Sequence, residues 1–202
     1  DEIAASLSNA VTLAEVEDIY RPFKPKRKTR ASIAREKGLE GLAQRIFEQK
    51  TDCPLPIEMA ADYINEEKEV PTAQDALQGA MDIIAEDLSD DPNIRRRLRN
   101  LFSVTGDVTV KAADPEEKSV YEMYYDFTDK VKTIAEYRIL AIDRGEREGF
   151  LKVSVTLDPV KAINVLHSVA IKNNSSPCLS VLQEICSDSY TRLIYPSVER
   201  EI

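Results

Sequence analysis

The residues with the greatest capacity for chemistry are cationic. Between positions 21 and 37 lie Arg21, Lys24, Lys26, Arg27, Lys28, Arg30, Arg35 and Lys37, opposed by the single acid Glu36. The local charge is about +7 in a chain whose net charge is −9, which leaves about −16 on the remainder. Basic residues concentrated in this way on an acidic protein mark a candidate polyanion site, so any phosphate contact must be local and oriented. Lysine and arginine on a loop would hold the backbone of a nucleic acid without reading its bases. Phe23, between basic neighbours, serves either as an anchor for the loop or as a stacking surface for a base.

Other chemistries lack their parts. His167 is the sole histidine and sits in an apolar helical stretch beside Leu166 and Val169, a packed or surface helical position rather than a catalytic one. Cys53, Cys178 and Cys186 are odd in number and lack a C-x-x-C pair, so neither a disulfide framework nor a zinc site is indicated, and a reducing compartment fits best. No glycine-rich phosphate loop is present, since Gly38-Leu39-Glu40-Gly41 offers only two glycines in a helical corner. Acidic pairs such as Asp90-Asp91, and Asp114 near Glu116, are accounted for by helix starts, where carboxylates meet the positive end of the dipole. The expectation is no catalysis, no metal and no cofactor.

The elements that must position the basic segment read as helices. Thr12 with Glu15 forms a capping box, and Leu13, Val16, Ile19 and Tyr20 recur at helical spacing up to Pro22. Pro22 and Pro25 stiffen the basic loop. Thr29 or Ser32 can cap a helix through Lys37, Gly38 can end it in a left-handed conformation, and a second helix carries Leu39, Leu42, Ala43, Ile46 and Phe47 on one face. These two helices have the spacing of a helix-turn-helix around Ala34 and Gly38. Lys37 and Gln44, however, occupy positions where that motif wants apolar residues, and an ordinary helical corner is favoured. Further helices are expected from Pro56 to about Asn65, after Thr72, after Asp91-Pro92, after Asp114-Pro115 with Tyr121, Tyr124, Tyr125 and Phe127, over Lys132 to Asp143, and from Pro159 to Ile171. A long final helix from Leu179 to Ile202 should be kinked at Pro196. Arg95, Arg96, Arg97 and Arg99 cannot share one helix face, and salt bridges to a neighbouring acidic helix suit them better than phosphate. The three tyrosines could stack bases but are better read as a packed face.

Only Asp107 to Lys111 and Phe150 to Leu157 alternate in the manner of strands, which predicts a small antiparallel pair. The fold class expected is mainly α, a multi-helix assembly with a small two-stranded antiparallel β ribbon. It forms one helical region over 1–202, with the basic loop and helical corner at 21–49 and the β-containing part at about 106–157. An apolar fraction of 43% with 31% charged residues describes a folded, soluble chain. No apolar stretch approaches bilayer length. The chain starts at Asp1 without methionine and stops at Ile202 in helical sequence, as a fragment of a longer protein would. The cytoplasm is the expected location.

Three stretches, Glu17 to Leu39, Tyr137 to Gly149 and Asp188 to Ile202, together resemble the bacterial Tex family of transcription accessory proteins. The resemblance implies a nucleic-acid-binding protein in which a helical N-terminal region precedes an RNase-H-like domain, helix-hairpin-helix segments and a C-terminal oligonucleotide-binding-fold RNA-binding domain. It implies that this chain is part of that N-terminal helical region and lacks the other domains. Expected partners are DNA or RNA through the full-length protein, the transcription machinery, and other domains of the same chain, with no membrane. Two functions follow as alternatives. The chain is a helical scaffold or interaction region whose basic loop pairs with acidic surface, or it is a direct nucleic-acid-backbone binder using that loop and the helical corner.

Overall fold

The computed structural model describes residues 7–8, 10–21 and 28–201. Their helices are α1 (Leu13–Tyr20), α2 (Arg30–Glu36), α3 (Glu40–Glu48), α4 (Pro56–Ala61), α5 (Ala73–Asp90) and α6 (Pro92–Thr105). After α6 come β1 (Asp107–Ala112), β2 (Asp126–Lys130), α7 (Glu136–Arg147), β3 (Leu151–Thr156), α8 (Pro159–Ala170), α9 (Leu179–Asp188) and α10 (Tyr195–Val198). The fold is mainly helical with a small antiparallel sheet. By internal contacts the chain divides into two compact units, Asp1–Arg96 with Ile163–Pro196, and Arg97–Ala162 with Ser197–Ile202.

In the first unit α5 is the hub, and α2, α3, α4 and α9 pack on it. Its start is fixed by Thr72, whose hydroxyl accepts from the Asp75 amide at 3.1 Å. Ala76, Ala80 and Ala85 are buried along it with Ile83, Ile84 and Leu88. Small residues let neighbouring helices approach, and Gly79 of α5 lies against Ala34 of α2 and the Leu39 side chain. A Cβ there would fall 3.2 Å from the Ala34 Cβ and 2.3 Å from Leu39 Cδ1. The expected caps are present on α1, where Thr12 and Glu15 exchange hydrogen bonds, and on α2, where Thr29 and Ser32 do. Gly38 then turns the chain with φ of +81°.

The long final helix needs one correction. Residues Ser189–Ile194 form a π-helical segment between α9 and α10. The Tyr195 amide donates to the carbonyl of Tyr190, five residues back. Pro196 has no amide hydrogen to continue an α ladder, and the wider turn ahead of it accommodates its ring.

In the second unit the sheet has three strands in the order β2-β1-β3, both pairings antiparallel. The expected pairing of β1 with β3 is present, with Val108 opposite Val155 and Val110 opposite Val153. The strand missing from the two-stranded expectation is β2, which lies where a helix was read. Asp-Phe-Thr-Asp-Lys has one large apolar residue, so its alternation is hidden beside tyrosines that happen to fall at helical spacing. Those tyrosines lie in turns and a short 3-10 segment, Glu122–Tyr124. Tyr121 and Tyr124 are buried with Val110, Ile142 and Leu151, so they serve packing as expected, though not from a helix. α7 starts at Glu136 rather than Lys132 and continues past Asp143 through Arg144 to Arg147. Those residues are held in the helix by i,i+4 pairs of Arg144 with Glu148 and of Arg147 with Asp143.

Candidate functional site

The basic segment enters from the C-terminal end of α1 and leaves through α2. Lys24, Lys26 and Arg27 lie outside the described residues, as do Pro22, Phe23 and Pro25. The other five candidates are placed. Arg21, which caps the end of α1, donates from Nε to Asp90 Oδ1 at 3.1 Å. Arg35 on α2 is clamped from two sides, Nη1 to Glu86 Oε2 at 2.9 Å and Nη2 to Asp87 Oδ1 at 2.5 Å. Lys37 lies 3.6 Å from Glu69 Oε2 and donates to the Glu69 carbonyl at 3.0 Å. Lys28 is 3.4 Å from Glu36 in an exposed pair. Arg30 is exposed and makes no direct ion pair among the described residues, though its charge acts on Asp82.

The partners of Arg21 and Arg35 share one place. Glu86, Asp87 and Asp90 occupy the C-terminal end of α5, where the helix dipole is already negative and carboxylates are disfavoured. The three acids form a negative pole, and the two arginines offset part of it. For Arg35, burial alone would lower the guanidinium pKa, but the hydrogen bond with Glu86 and the charges of Asp87 and Glu86 outweigh it and hold the pKa above its ordinary value. Sequence reasoning missed this acidic cluster because it assigned Asp90-Asp91 to a helix start alone. Asp91 does play that part, accepting from the Ile94 amide at 2.9 Å. The readable signal was the spacing of Glu86, Asp87 and Asp90 on one side of α5, opposite a basic segment in search of partners.

The helical corner offers little to a duplex groove. The exposed positions of α3 are Glu40, Gly41, Gln44 and Glu48, and half-buried Arg45 on the same helix pairs with Asp62 at 3.1 Å. A helix presenting carboxylates would repel phosphate.

The arginine cluster of α6 divides, with Arg96 and Arg97 exposed, Arg99 half-buried and Arg95 turned inward. Arg95 is wholly buried and its Nε donates to Asp18 Oδ1 at 2.8 Å, so the acid it meets lies on α1. In the second unit Arg99 pairs with Glu201 at 3.0 Å. Exposed Arg96 donates to Asn93 at 3.3 Å. In the first unit, half-buried Arg192 is chelated by Asp188 and reaches Asp82 at 3.3 Å. The hydrogen bond with Asp188 is the main cause holding the Arg192 pKa above its ordinary value, while burial pushes the Asp82 carboxyl upward.

Among the described residues no group of three or more His, Cys, Asp or Glu is arranged to hold a metal ion. Nor, among them, is any helix long and apolar enough to cross a membrane.

The first unit is a helical hub that holds a charged segment through ion pairs, and the second carries a small three-stranded sheet. A family model described as Tex central region-like matches residues 53–202. The chain belongs to the Tex family. It is 44% identical over its whole length to the uncharacterized protein YdcI of Bacillus subtilis (strain 168), of which it covers 28%. The transcriptional accessory protein Tex of Neisseria gonorrhoeae is 32% identical over 79% of this chain, which spans 21% of that relative. The S1 RNA-binding domain-containing protein 1 of Homo sapiens is 29% identical over 97% of this chain, again spanning 21% of the relative. The chain therefore corresponds to about a fifth to about a quarter of the curated relatives it matches.

Two of the stretches that carried the resemblance hold structural roles. Asp188 and Arg192 form the chelate just described, and Tyr190 and Ile194 are buried. Tyr137 to Gly149 supplies α7, whose Ile142 lies in the core of the second unit.

Proposed function

We propose that this chain is a helical scaffold and interaction region of a nucleic-acid-binding transcription accessory protein, acting by positioning rather than by catalysis. The basic segment serves first as a latch on its own acidic surface. The observation that carries this reading is that four of the five described basic residues of the segment, Arg21, Lys28, Arg35 and Lys37, are paired with acids of the same chain. A cation already neutralised within the fold releases fewer counterions from a nucleic acid and adds little to affinity. The printed names of the relatives, a transcriptional accessory protein and an S1 RNA-binding domain-containing protein, support nucleic acid as the ligand of the full-length protein. Its place of action on this reading is the cytoplasm, and its partners are DNA or RNA, the transcription machinery and the other domains of its own chain.

The test is binding of this chain to fluorescent single- and double-stranded oligonucleotides across a salt series. A variant with Lys24, Lys26, Arg27, Lys28 and Arg30 changed to Ala is run beside it. The scaffold reading expects no salt-dependent binding by either protein. Direct binding through about four duplex phosphates would instead give a slope near about −3.6 in log affinity against log salt. Loss of that slope in the variant would replace the scaffold reading with a phosphate-contact one.

A further inference from the structure

Cys53 and Cys178 are 125 residues apart in sequence and their sulfurs lie 3.7 Å apart, within the first unit. Cys53 precedes α4 and is half-buried, while Cys178 caps α9 and is fully buried. The Cys53 thiol also contacts the Lys50 carbonyl at 3.1 Å. This leaves the Cys178 S–H to point at the Cys53 sulfur, the donor sense in which that bond holds Cys178 protonated. The backbone on either side is fastened before any covalent bond forms. Gln49 donates to the Ala170 carbonyl at 2.7 Å and accepts from the Lys172 amide at 2.7 Å. Asn173 donates to the Gln49 carbonyl at 2.8 Å, and Ser176 to the Lys50 carbonyl at 3.1 Å. Two thiols 3.7 Å apart on segments sewn together by four hydrogen bonds are held as neighbours before any covalent bond forms.

We propose that Cys53 and Cys178 are a reversible redox pair that closes to a disulfide by exchange with a small-molecule disulfide, locking residues 49–53 to residues 170–178. Cys53, the accessible thiol, loses its proton and attacks one sulfur of the small disulfide. That S–S bond breaks, the first small thiolate leaves, and a mixed disulfide remains on Cys53. Cys178 then loses its proton to solvent and attacks the Cys53 sulfur, expelling the second small thiolate. Two protein thiols are oxidised to one disulfide, and one small disulfide is reduced to two thiols, which take up the released protons. Burial pushes the Cys178 thiol up to about 11, which slows its attack in the second step. Cys186, also buried and with its thiol pushed up to about 12, takes no part.

The experiment incubates the folded chain with oxidised glutathione, quenches in acid, alkylates free thiols under denaturing conditions and counts them by mass. The expected result is a fall from three free thiols to one, with a linked peptide joining Cys53 to Cys178 and Cys186 alkylated. Dithiothreitol should restore all three. Cys53→Ser, at the more exposed position, should keep both remaining thiols under the same treatment. In the guanidine-unfolded chain the yield of the 53–178 linkage should fall at least tenfold, because the two sulfurs are no longer held together. A stable glutathione adduct on Cys53 with Cys178 still free, a linkage through Cys186, or three thiols surviving a large excess of oxidant would each overturn the proposal.

Discussion

Removing the Asp18 carboxylate should cost this protein several kcal/mol, about 3 to 5, because its partner is a buried guanidinium. The Arg95 guanidinium is fully buried, with its Nε 2.8 Å from Asp18 Oδ1, and the Asp18 side chain is 6% exposed. Asp18→Ala leaves a desolvated positive charge without that carboxylate. Breaking one side of a buried pair costs about 3 to 5 kcal/mol, because the charge left behind keeps its desolvation penalty and loses the attraction that offset it. By contrast, Lys28→Ala deletes a pair whose side chains are 67% and 65% exposed and should change stability by less than about 1 kcal/mol. For a chain of this size the Asp18 change corresponds to a fall in Tm of about 6 to 20 °C. The assay is urea and thermal unfolding followed by circular dichroism for wild type, Asp18→Ala, Lys28→Ala and the double variant Asp18→Leu with Arg95→Met. The double variant should recover most of the loss, since apolar replacement of both partners removes the buried charge together with its carboxylate. A loss below about 1 kcal/mol in Asp18→Ala with unchanged helix content would refute the reasoning and mean that α1 does not seal Arg95 from water.

Three further outcomes are expected. Gly79→Ala should destabilise by about 1 to 2 kcal/mol in urea unfolding, since contacts at 2.3 and 3.2 Å outweigh the gain of about 1 kcal/mol in helix propensity; a more stable variant would show that Leu39 simply rotates away. Glu86→Gln, Asp87→Asn and Asp90→Asn together should release Arg21 and Arg35 and raise oligonucleotide affinity at low salt in a fluorescence titration, whereas unchanged affinity would mean that the acidic pole does not shield the segment. Alkaline stability should decline for a definite reason. Burial raises the Cys178 thiol to about 11 and the Cys186 thiol to about 12 from 9.0, so above pH 9 the unfolded chain releases protons that the folded chain retains. The stability these thiols contribute is intact below pH 9 and is lost as pH rises toward 11 and 12, at up to about 1.4 kcal/mol per pH unit for each. Cys186→Ala should flatten that slope, measured by urea unfolding from pH 8.5 to 10.5, and an unchanged slope would assign it to other groups.

Much of the local structure could be read from the chain because its signals are local. The Thr12–Glu15 box, the Thr29 cap, the Thr72 start and the left-handed Gly38 each depend on residues within a turn of one another. The β1 and β3 strands announced themselves by alternation. Strand β2 did not, because a five-residue segment with one aromatic becomes a strand only when β1 offers it a hydrogen-bonding edge. The π-helical turn before Pro196 was likewise invisible, since a proline signals that a helix must deform without saying how.

The candidate site divides in the same way. The sequence by itself determined that eight cations would crowd one segment of an acidic chain and that three stretches resembled the Tex family. It could not determine where those charges would point. Only the tertiary structure placed Arg35 against Glu86 and Asp87, fifty residues away in the chain, and Arg95 against Asp18, and brought Cys53 to Cys178. The reason is physical: periodicity and caps follow from the geometry of a few neighbouring residues, whereas charge pairing and thiol proximity depend on which distant helices share a core.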